Sequence, residues 1–177
     1  FSELGAPAVK YYPDELSWAK TQPSKDAPMN FDKPDKFVKD YQEVGFSELV
    51  MGLKTQGSWA VKDSKDNFAP KPEFLGDYGK WIKAVVERYD MDGDADIVGL
   101  KFPVRFFEIG TEFSSFEPEP VEDYITMLEA AYKAAHEASE DAIVMNAAFL
   151  TTTAFKNHPA PGEYEESCRR GSGSHAD

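Results

Sequence analysis

Cysteine is nearly absent from this chain: Cys168 is the only one, and there are three histidines in 177 residues. A lone thiol cannot close an internal disulfide, and no Cys/His group has the spacing of a zinc site. The compartment stays open between secreted or periplasmic and cytoplasmic, because many secreted enzymes also lack disulfides. No apolar run approaches the ~20 residues of a membrane span, and the N-terminus does not read as a signal peptide. No helix opens on a phosphate-binding glycine pattern, which argues against a nucleotide enzyme, and no internal repeat occurs. Positive charge is also scarce. With 19 Lys and Arg against 32 Asp and Glu, the net charge is -13. Such a surface repels nucleic-acid phosphates and anionic membranes, so no nucleic acid and no membrane is expected as a partner. What the chain does have is 41% hydrophobic and 14% aromatic residues, enough for the core of one domain.

In chain order, Phe1 to Gly5 reads as the last turn of a helix ending at a glycine cap. Ala8 to Tyr12 is a short strand. Asp32 to Val44 is predicted to be a helix, with Asp32 as N-cap, Pro34 in the first turn and Phe37, Val38, Tyr41 and Val44 on its apolar face. Gly45 caps it, and Phe46 to Leu53 is the next strand. Asp63 to Pro72 is polar and reads as loop. Glu73 to Tyr89 repeats apolar residues at helical spacing, with Trp81 in the core. Pro120 opens a helix to about Ala138, with Tyr124, Met127, Leu128, Ala131 and Ala135 inward and His136 unremarkable on it. Ala142 to Phe149 supplies a further strand. Strand and helix alternating in this way give an α/β fold with parallel strands.

The stretch around which these elements gather is Pro103 to Phe116. Val104 to Ile109 is an apolar and aromatic run, the pattern of a strand buried on both faces. Gly110 ends it and Glu112 follows. A carboxylate at the C-terminal end of such a strand lies where α/β folds hold their chemistry. Phe107, Phe113 and Phe116 on either side are expected to exclude water and raise its pKa, as a general acid requires. Glu112 is therefore the candidate catalytic residue, against the plainer reading of a solvated strand end. Glu108, in the middle of the strand, is expected to be buried and paired with Arg105 or a lysine on a neighbouring strand.

A second constellation is Asp90-Met-Asp-Gly-Asp-Ala-Asp96. Asp90, Asp92, Asp94 and Asp96 alternate, and Gly93 permits a tight turn, so their oxygens can converge on a hard cation such as Ca2+. It is not an EF-hand loop, since the twelfth position from Asp90 is Lys101. The competing account is an acidic, solvated connection. Any calcium here is structural, and no cofactor is required for the chemistry.

Phe106 to Phe113 resembles the strand-four motif of the retaining (β/α)8-barrel glycoside hydrolases of clan A, an aromatic, Glu-Ile, a small residue and Asn-Glu-Pro. In that clan the Glu of the Asn-Glu pair is the acid/base, which corresponds to Glu112. The clan's Asn, which binds the sugar 2-hydroxyl, is Thr111 here, and its Pro is Phe113. Trp18, Gln22 and Pro23 resemble the Trp-x-x-x-Gln-Pro after the clan's second strand, and Ser58-Trp59-Ala60 resembles the loop after its third. Both tryptophans could offer a flat face to a sugar ring, Thr111 and Phe113 completing the substrate contacts, with core or rim packing as the alternative.

The resemblance implies a TIM barrel of which residues 1–150 hold strands two to five, with 151–177 as loop, flexible tail or the start of the remaining part. A whole barrel takes ~250 residues, and the clan's nucleophile follows strand seven, outside this chain. The implied activity is retaining hydrolysis of a β-linked glycoside or polysaccharide. Alternatives are a non-catalytic carbohydrate-binding protein on the same fold and a calcium-dependent interaction domain. Half a barrel leaves sheet edges open, so self-association or completion by further sequence is expected.

Overall fold

Leu49, Met51 and Leu53 alternate along the strand Glu48–Leu53 and are all but fully buried, because successive side chains of a strand point to opposite faces. Phe107 and Ile109 do the same on Phe106–Ile109. These residues join one core with Val38, Tyr78, Trp81, Ile82, Val85, Val86, Tyr89, Tyr124 and Met127 from the helices. The computed structural model describes residues 5–11, 14–62, 69–111 and 120–148.

The elements run β1 (Ala8–Tyr11), α1 (Trp18–Thr21), α2 (Asp32–Glu43), β2 (Glu48–Leu53), α3 (Leu75–Tyr89), β3 (Phe106–Ile109), α4 (Val121–Ala138) and β4 (Ile143–Asn146), with 3-10 turns at Asp14–Leu16 and Pro72–Phe74. The four strands form one sheet in the order β1-β2-β3-β4, every pair parallel. This is the α/β class with sequential parallel strands joined through helices. Among the described residues both outer strands have an unpaired edge.

Register fixes what the other face carries. Lys10, Val50 and Phe106 stand in one row with Ile143, and Gly52, Glu108 and Met145 in the next. This face is only partly covered: Val50, Phe106 and Met145 are half-buried and Ile143 is 45% exposed. The sequence expectation of a strand buried on both faces therefore holds for Phe107, Glu108 and Ile109 but not for Phe106.

Helix α2 departs from its prediction in two ways. Asp32 is its first residue and not its cap; the cap position is Phe31, which has no side-chain cap bond, and the Asn30 side chain before it accepts from the Asp32 N–H at 2.9 Å. Its buried face is Pro34, Asp35, Val38 and Gln42, while Val44 is 59% exposed. The two polar members are satisfied. Asp35 accepts from Arg88 Nε at 2.6 Å and the Tyr89 hydroxyl at 2.9 Å, and pairs with Arg88 Nη2 as well. Gln42 donates to the Phe102 carbonyl at 2.7 Å and accepts from the Lys101 N–H at 2.8 Å, bracing the segment that leads into β3. Gly45, at φ 104°, takes the left-handed turn out of the helix.

Candidate functional site

The carboxyl ends of β2 and β3 are tied by the Gly110 N–H donating to the Leu53 carbonyl at 2.9 Å. Gly110 has φ 82°, a conformation that glycine adopts without strain, and the chain turns there. Thr111 follows, half-buried, at the end of the strand. Glu112, Phe113 and Phe116 lie outside the described residues. Phe107, one of the aromatics expected around Glu112, is fully buried on the helix side, in the core, because its alternation puts it on the opposite face from Glu108.

Glu108 is 5% exposed and pairs with Lys10 Nζ at 2.6 Å. The partner comes from β1, two strands away, and not from the adjacent strand. Gly52, which has no side chain, is the residue of β2 beside Glu108 on that face. Arg105, the other expected partner, pairs with Glu48 at 3.2 Å. A buried carboxylate is tolerated because it is paired.

The two tryptophans part company. Trp18 is fully buried, its ring stacked on Trp81 at 5.9 Å and tilted against Tyr78 at 5.6 Å and Trp59 at 5.2 Å. Its faces are occupied by other rings, which corrects the expectation that it offers one to a sugar. The sequence pattern Trp-x-x-x-Gln acquires a structural reason: Trp18 Nε1 donates to Gln22 Oε1 at 2.8 Å along one helical turn, and the Gln22 amide closes on the Lys25 and Ala27 carbonyls. Trp81 donates to the buried Thr21 hydroxyl at 2.8 Å. Trp59 is half-buried, its Nε1 donating to the Gln22 carbonyl at 3.1 Å and its ring edge-on to Phe74 at 5.1 Å. It is packed against the core without being fully covered.

In the loop after α3, carboxylate oxygens of Asp90, Asp92 and Asp96 lie within 4.8 Å of one another. Asp94 does not join them. It is exposed, and its N–H donates to Asp92 Oδ1 at 2.8 Å, so the turn uses its backbone while its side chain projects elsewhere. Asp96 accepts from the Met91 and Gly93 N–H groups at 2.9 and 2.8 Å. Asp90 Oδ2 is buried and has no hydrogen-bond partner among the described residues. Desolvation, with Asp92, Asp96 and Glu87 nearby, pushes the Asp90 pKa up to about 6.

That shift has a sign. The folded value lies above the ordinary carboxylate value, so the stabilisation from this group is full below that ordinary value. It is lost as pH rises through 6. Without added cation, the melting temperature of Asp90→Asn relative to the parent is expected to be higher at pH 7.5 than at pH 4.5. A difference that does not change between the two would contradict the assignment.

An open groove of about 300 Å3 between α3 and α4, lined by Leu75, Gly79, Lys80, Lys83 and Lys133, lies on the helical side. No described helix is long and apolar enough to cross a membrane. The chain matches no protein-family model and no curated protein. Function therefore rests on the residues themselves. The sequence reading missed the Asp35–Arg88–Tyr89 cluster, although Asp35, Val38 and Gln42 recur at helical spacing and mark one face.

Proposed function

We propose that the protein is a retaining glycoside hydrolase acting on a β-linked glycoside or polysaccharide, with Glu112 as general acid/base. In this reading β1 to β4 are the second to fifth strands of a (β/α)8 barrel. The observation that carries it is the sheet itself: parallel strands in sequential order, helices packed on one face, and a third strand that ends at Ile109 and is followed in sequence by Gly110, Thr111 and Glu112. The half-bare apolar face of Val50, Phe106, Ile143 and Met145 suits a barrel interior that further strands, or a second copy, would cover.

The chemistry needs two carboxylates about 5 Å apart. One protonates the departing glycosidic oxygen and then takes a proton from water. The other attacks the anomeric carbon and, by the resemblance, comes from beyond this chain. Thr111 hydrogen-bonds a sugar hydroxyl with one donor and acceptor group where an amide would have two sides. Trp59 supplies a ring face. A Ca2+ ion held by Asp90, Asp92 and Asp96 would be structural, fixing the loop that precedes β3; the buried, unpartnered Asp90 oxygen supports this. A melting temperature of the protein indifferent to calcium and chelator would remove the ion.

A second reading, a non-catalytic carbohydrate-binding protein on the same fold, is favoured by the Thr111 departure. Sugar release from β-linked polysaccharides by the full-length protein, measured beside calorimetry on the same sugars, separates the two. Hydrolysis supports the first, binding without hydrolysis the second, and neither rejects both.

A further inference from the structure

Beyond the ladder of β3 and β4 lies a rung of unusual composition. Ile109 pairs in register with Asn146, and the Ile143 N–H donates to the Arg105 carbonyl at 2.6 Å. Parallel strands repeat that bond every second residue, so the rung due two steps on, just past the last register pair, is the Ala147 N–H to the Ile109 carbonyl. A phenol stands between them. The Ala147 N–H donates to the Tyr124 hydroxyl at 2.8 Å, and that hydroxyl donates to the Ile109 carbonyl at 2.9 Å. Tyr124 is in the first turn of α4 and 3% exposed.

The consequence is geometric. A direct rung holds strands at the ordinary sheet spacing of about 4.8 Å, and inserting a hydroxyl oxygen between donor and acceptor splays β3 from β4 at their carboxyl ends. On its other side the Gly110 N–H makes the direct rung to the Leu53 carbonyl of β2. Ile109 and Gly110 are thus clamped toward β2 and wedged from β4, and Thr111 departs from this fixed point. Burial pushes the Tyr124 pKa up, so the phenol stays neutral and can both donate and accept.

We infer that Tyr124 is a positioning residue, a hydroxyl wedge replacing the last rung between β3 and β4 that sets where Thr111 meets the substrate. The inference rests on the glycosidase reading for its substrate, but its structural half does not. Tyr124→Phe in the full-length protein removes one oxygen and keeps the ring in the core, and Tyr132→Phe, on the exposed face of the same helix, is the control.

Two readouts apply. In amide hydrogen exchange, Tyr124→Phe is expected to speed exchange at Ala147 about fivefold or more, as loss of a hydrogen bond of ~1 kcal/mol or more implies, with Ala131 and Ala135 protected as before. In kinetics on a β-linked oligosaccharide, kcat is expected to fall about tenfold or more with KM within about twofold, as for a misplaced group. Unchanged Ala147 exchange overturns the wedge. Faster Ala147 exchange with unchanged kcat overturns the positioning role. A parent protein that hydrolyses no sugar instead overturns the glycosidase reading, and the exchange arm still decides the wedge.

Discussion

Glu112→Gln in the full-length protein is expected to lower turnover of β-glycosides with poor leaving groups by about 10^3-fold, within the range typical of general acid catalysis. An alkoxide cannot depart without a proton, and the amide of Gln has none to give. An activated aryl glycoside departs as a stable phenolate, so its bond-breaking step should lose far less. Its second step still needs a base to deprotonate water, and the covalent intermediate is expected to accumulate. Azide, which attacks without a base, should restore that step. Leaving-group dependence of kcat/KM with and without azide checks this. Equal loss on poor and activated substrates would take the acid role away from Glu112.

Asp35→Ala is expected to cost about 3 kcal/mol, read from urea unfolding. Asp35 is 9% exposed and accepts from the Arg88 guanidinium and the Tyr89 hydroxyl. Removing it strands a phenol that is fully buried and a guanidinium whose side chain is 30% exposed. Breaking a fully buried pair costs ~3–5 kcal/mol, and access of Arg88 to water places this case at the lower end. Arg88 also lies 5.3 Å from the Phe31 ring centroid, so replacing Asp35 alone is the cleaner change. Asp35→Asn keeps an acceptor and should lose less. A cost of Asp35→Ala below ~1 kcal/mol would mean that the α2–α3 contact is carried by apolar packing alone.

How much of this was legible in the sequence depends on whether a pattern or a partner decides. Helices α3 and α4 follow from apolar spacing, since burying one stripe of a helix is a local requirement. The central strand follows from its continuous apolar run, and the glycines at positions 45 and 110 mark where a helix and that strand end. Partners at long range do not follow. Nothing local gives Lys10 to Glu108, because the reach depends on sheet order. Trp18 and Trp59 carry the same side chain, yet one is ringed by aromatics and the other is only half-buried. Trp18 is covered by Tyr78 and Trp81 of α3, while Trp59 meets Trp18 and, from the 3-10 turn ahead of that helix, Phe74, and neither set of partners is near in the chain. Asp94 shares its spacing with Asp90, Asp92 and Asp96 and still falls outside their cluster. Left-handed residues Met91 and Ala95, at φ 65° and 53°, interrupt the simple alternation that the spacing assumes.

The glycosidase account depends on double displacement, and the anomer formed first reports it most directly. Proton NMR of a β-linked oligosaccharide during the first minutes of cleavage by the full-length protein is expected to show the β-hemiacetal, which then mutarotates. First appearance of the α-anomer, or no cleavage of any β-linked sugar that calorimetry shows to bind, would contradict it.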